Sequence, residues 1–87
     1  MLFVMWFNWP PENTALILKF WKDFKCPDQI KLIGRYLLIG KHITMTIFEA
    51  PNEESILKIT FPMREIGVPH ISPALPLDEA MRLVEKM

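Results

Sequence analysis

Cysteine, glycine and surplus charge are all scarce in this 87-residue chain, and each scarcity excludes something. Cys26 is alone, so no intrachain disulfide can brace the fold. A single free thiol with no secretory leader suits a reducing cytosol, which gives the expectation of a cytoplasmic protein. Ten Lys and Arg balance ten Asp and Glu, so the chain carries no basic footprint for nucleic acid. The apolar run Leu2–Phe7 stops at Asn8 and Pro10, far short of the roughly 20 residues a spanning helix needs. It lacks a basic flank and a small-residue cleavage site, so neither signal peptide nor membrane anchor is expected. No phosphate-binding loop, dinucleotide fingerprint or nucleophile elbow is present. Two histidines and one distant cysteine give no metal spacing. No cofactor and no metal are expected.

What the chain does have is apolar surface: 51% of its residues are hydrophobic and 11% aromatic. A chain this short buries only about 60–65% of the surface its unfolded form exposes, so its stability is marginal. The opening segment Leu2–Trp9 is apolar on both parities, and as a strand it would be apolar on both faces. Pro10 and Pro11 end it, and Pro11 fits the first turn of a helix. Residues 12–24 carry Ile17, Phe20, Trp21 and Phe24 at helical spacing, and Pro27 stops that helix. Strands follow at 30–39 and 42–50, joined at Gly40-Lys41 as a two-residue turn. That turn sets Leu37 against Thr44, Arg35 against Thr46 and Ile33 against Phe48. One hairpin face is then cleanly apolar, with Leu32, Tyr36, Leu38, Ile43, Met45 and Ile47. The other mixes Arg35, Thr44 and Thr46 with apolar groups. The clean face is expected to meet the helices. Asn52 caps a second helix over 53–63, with Pro62 conflicting with its last turn. A fourth strand covers 66–75, and a last helix covers 77–86 with Leu77, Ala80, Met81 and Val84 in one stripe.

The order β-α-β-β-α-β-α is the split βαβ pattern of an α+β, ferredoxin-like fold, here forming one domain over 1–87. Its right-handed crossovers give an antiparallel sheet ordered 4-1-3-2. Two residue patterns agree with it. The first strand is the most apolar, as a central strand should be. The fourth carries Pro69 and Pro73 at one parity, which only an edge strand tolerates. Both long helices cover one sheet face, so the other keeps several large apolar side chains. Burying each is worth about 1.5–3 kcal/mol, a sizeable part of the roughly 5–15 kcal/mol of a typical domain. A homodimer with stacked sheets removes that exposure. The competing arrangement folds the helix at 77–86 back over the face within one chain.

The start FVMWFNWPPEN, the strand IKLIGRY and the tail PALPLDEAM resemble a small prokaryotic family of the dimeric α+β barrel superfamily. That superfamily includes cofactor-free monooxygenases, haem-degrading enzymes, isomerases and ligand-sensing domains. Fold alone does not choose among them. The resemblance implies a homodimer. In the haem-degrading relatives an Asn on the first strand, a Trp and a His line the pocket, and Asn8, Trp6 or Trp9, and His70 are the matching positions here. Local chemistry favours a turn role for Asn8, where Asn commonly bonds nearby backbone.

His70 could serve as a base near neutral pH, with Glu49 or Glu65 to orient it, although a structural role is favoured. Arg35 could clamp a carboxylate or phosphate, or pair with an acid across a dimer interface. Trp6, Trp9 and Tyr36 are the aromatic candidates for a small apolar ligand, with Tyr36 read first as core. Cys26 reads as a structural thiol. Three functions follow: a small-ligand or protein-binding module, a cofactor-free enzyme acting through His70, Arg35 and Asn8, or a structural protein. A cavity separates them. An enzyme needs at least two of Asn8, His70 and Arg35 to converge on it, a binding module needs only the cavity, and a structural protein has it filled.

Overall fold

A computed structural model describes all 87 residues. Its elements are β1 (Leu2–Asn8), α1 (Thr14–Asp23), β2 (Lys31–Leu37), β3 (Ile43–Glu49), α2 (Glu53–Met63), β4 (Val68–Pro73) and α3 (Leu77–Glu85), with a 3₁₀ turn at Pro11–Asn13 leading into α1. The four strands form one antiparallel sheet ordered β2-β3-β1-β4. This is the expected order read from the opposite edge. β1 bonds to a neighbour on each side, and the proline-bearing β4 lies at an edge, where a missing N–H leaves no ladder partner unpaired.

α1 and α2 cover one face. Phe3, Met5 and Phe7 of β1 point into it, together with Thr46 and Phe48 of β3, and meet Ile17 of α1 and Ile59 and Met63 of α2. Asn52 caps α2, its Oδ1 accepting from the Ser55 N–H at 3.0 Å. Pro62 stays inside α2, one residue from its end. Its missing N–H leaves the Lys58 carbonyl without its helical partner, yet the helix continues to Met63, so the expected conflict does not shorten the element. Only 11 of 87 residues are buried, a small core for a chain with 51% hydrophobic residues.

The hairpin departs from expectation in three ways. Its loop spans four residues, with the Leu38 N–H donating to Ile43 O at 3.0 Å outside it. Gly40 takes φ +82° as the third residue of a turn closed by the Lys41 N–H on Leu38 O, a position that needs glycine's freedom. The Leu37–Thr44 and Arg35–Thr46 pairs form, but a bulge between Leu32 and Gly34 sets Leu32, not Ile33, opposite Phe48. The covered face is also the reverse of the expected one. Arg35, Thr44 and Thr46 lie under α1, while Tyr36, Met45 and Ile47 lie on the open face. Tyr36 is therefore not core: it is 57% exposed.

The open face carries Leu2, Val4, Trp6, Ile43, Met45, Ile47, Tyr36 and Val68, all partly or largely accessible. α3 does not roof it. It projects from the end of β4, and each of its residues but the half-buried Ala80 is exposed.

Candidate functional site

Two groupings of polar and aromatic side chains stand out, and the sheet separates them. The first is on the open face. Trp6 and His70 are cross-strand partners in the β1–β4 ladder. Their rings stack at 5.4 Å between centroids and 5° between planes. His70 Nε2 donates to Asn8 Oδ1 at 3.1 Å. Side chains two apart on a strand share a face, so β1 places Trp6 and Asn8 together and the register brings His70 to both. Asn8 is thus the last residue of a strand with a cross-strand side-chain bond, and the turn role is corrected. Its partner is His70, so the orienting group for that histidine is an amide rather than Glu49 or Glu65. Trp9 belongs elsewhere. It is buried in the core, and its Nε1–H donates to Thr14 Oγ1 at 3.3 Å. His42 meets its edge at 6.2 Å.

The second grouping is under α1. A cleft of about 360 Å³ opens between that helix and the hairpin, lined by Trp21, Lys22, Arg35, Leu37, Thr44 and Thr46, with Tyr36 at the sheet edge. The Arg35 guanidinium stands 5.5 Å from the centre of the Trp21 ring, within range for a cation–π contact. Trp21 Nε1 and Thr44 Oγ1 are shut off from solvent without any hydrogen-bond partner. A buried polar atom left this way costs about 1–3 kcal/mol. Trp21 and Lys22 escape notice in the sequence, where one is a stripe residue and the other a solvated lysine. The signal that marks them is the mixed hairpin face, because a helix laid over Arg35, Thr44 and Thr46 must enclose polar groups.

Asn8 and His70 converge, therefore, but not on this cleft, and Arg35 lies across the sheet from both. Cys26 takes no part in either grouping. Its Sγ–H donates to Ile30 O at 3.4 Å. Burial pushes its pKa above the ordinary thiol value, Arg35 pulls it partly back, and Asp28 raises it again. A thiol so held is a poor nucleophile. No group of three or more His, Cys, Asp or Glu side chains is arranged to hold a metal, and no helix is long and apolar enough to cross a membrane.

The chain belongs to a family described as a domain of unknown function, DUF3303, whose profile spans residues 1–87. No curated protein and no solved structure matches it.

Proposed function

We propose that this chain is a homodimeric small-molecule-binding module of the ferredoxin-like, dimeric α+β barrel type, and that it holds its ligand in the cleft under α1. The observation that carries the reading is the cleft itself, in which the Arg35 guanidinium stands 5.5 Å from the centre of the Trp21 ring, beside Lys22. A ligand with an apolar body and one carboxylate suits the cleft. Its ring lies against Trp21, and its oxygens meet Arg35 and Lys22. The volume of about 360 Å³ falls in the usual range for small-molecule sites.

Turnover would need a second reacting group at that ligand, and the Asn8–His70 pair is on the opposite face. Binding without chemistry is the reading that uses only what converges. Dimerisation rests on the open face, where Val4, Trp6, Met45 and Ile47 present a continuous apolar surface. Stacking two such faces buries it and encloses the Trp6–His70–Asn8 group at the join.

The test is a titration with benzoate, read at the Trp21 indole N–H resonance. That resonance is expected to shift in the wild type and to stay still in Arg35→Ala, while the Trp6 and Trp9 indoles stay still in both. An unmoved Trp21 resonance across benzoate and larger aryl carboxylates would overturn the ligand assignment.

A further inference from the structure

α3 has every mark of a docked helix except a surface to dock on. Leu77, Ala80, Met81 and Val84 recur at the i, i+3, i+4, i+7 spacing of one apolar stripe. Leu77, Met81 and Val84 are each more than half exposed. The helix has nine residues and no side-chain cap, and a free helix that short is marginal in water. Its connection to the sheet is short. The Ala74 N–H still donates to Leu2 O at 2.9 Å, so only Leu75 and Pro76 separate the sheet from the helix. Pro76 fixes the direction of exit.

The whole molecule carries the mark of this arm. Its radius of gyration is 14.5 Å and it extends 48 Å along its longest axis, whereas a compact chain of this length has a radius near 12 Å, an estimate from size scaling. It exposes 6423 Å², and the scaling for compact monomers gives about 5,300 Å² at this mass. The excess, about 1,100 Å², exceeds the roughly 800 Å² that each partner contributes to a standard interface.

We propose that α3 is an exchanged arm. In the dimer its stripe packs on the second copy, beside that copy's open sheet face, and the first copy receives the partner's α3 in return. The proposal rests on the dimer reading above and adds which element crosses over. Reciprocal exchange closes the assembly at two copies and leaves no unfilled surface to propagate. The polar side of the helix argues against a lipid surface instead. It carries Asp78, Glu79 and Glu85 against Arg82 and Lys86, whereas helices that lie on membranes are rich in Lys and Arg there.

Sedimentation of four proteins across a dilution series tests the arm: wild type, Met81→Glu in the stripe, Arg82→Gln on the polar side, and Met45→Glu on the open sheet face. Circular dichroism confirms that each remains folded. Hydrogen exchange of residues 77–85 in the wild-type dimer gives a second readout that needs no variant. The arm predicts that Met81→Glu weakens dimerisation about tenfold or more, that Arg82→Gln leaves it unchanged, and that the 77–85 amides are protected in the dimer and exchange freely on dilution. If Met45→Glu breaks the dimer while Met81→Glu does not, and those amides exchange freely throughout, the arm is wrong and the stacked-sheet reading stands. If the wild type never leaves the monomer, both fall together.

Discussion

A methyl group added at Gly67 would sit 2.5 Å from Phe7 Cζ and 2.6 Å from Asn8 O. Phe7 is fully buried and the Asn8 carbonyl is backbone, so neither yields easily. Gly67→Ala is expected to cost about 1–3 kcal/mol, measured as a lower midpoint of urea unfolding with the slope unchanged. Cys26 gives a second prediction at this scale. Its folded pKa is raised, chiefly by burial, so the native state keeps its proton to higher pH than the unfolded chain does. The stability this gives is complete below the ordinary thiol value and is lost as pH rises through the folded one. Stability should therefore fall on the alkaline side, and Cys26→Ala should remove part of that fall. Iodoacetamide should label Cys26 more slowly in the native protein than in urea. One misreading also began at the residue scale. Asn8 looks like a turn residue because Asn bonds local backbone so readily, and only the β1–β4 register reveals the histidine across from it.

The bulge in β2 is an element-scale feature with a direct test. Ile33 is 52% exposed because Leu32 takes the place opposite Phe48. Ile33→Lys should change stability by no more than about 0.5 kcal/mol, as surface changes do. A strand without the bulge would put that lysine under the helices and unfold the protein. At α2, Asn52→Ala removes the acceptor of the Ser55 N–H and should cost about 0.5–2 kcal/mol, read from thermal unfolding. Much at this scale was legible. The apolar parity of β1 and the two prolines of β4 fix which strand is central and which is at an edge. The bulge was not, since no turn chemistry marks it, although Gly34 hints at it. A Cβ there would meet Tyr36 Oη at 2.6 Å, so the glycine lets the tyrosine ring lie along the open face.

On the scale of the whole molecule, the hairpin faces explain why the polarity rule misled. The rule that apolar faces turn toward the chain's own helices assumes that burial is completed within one chain. Here the cleaner apolar face, with Met45, Ile47 and Tyr36, is the one left open, and the helices sit over Arg35 and two threonines. A sequence shows how much apolar surface a chain has, but not which part of it the chain's own helices will cover. The cleft was half legible for the same reason. Arg35, Thr44 and Thr46 announce a polar face, yet Trp21 and Lys22 join them only once α1 is laid across it. Met45→Glu, which puts a charge in the middle of the open face, should leave the subunit folded and make it monomeric.

The most direct measurement of that central claim is the mass of the wild-type protein by sedimentation equilibrium through serial dilution. A homodimer gives twice the 10.2 kDa mass of one chain at high concentration, falling toward that of one chain as the protein is diluted. A mass fixed at that of one subunit throughout, with the open face still wet, would contradict it.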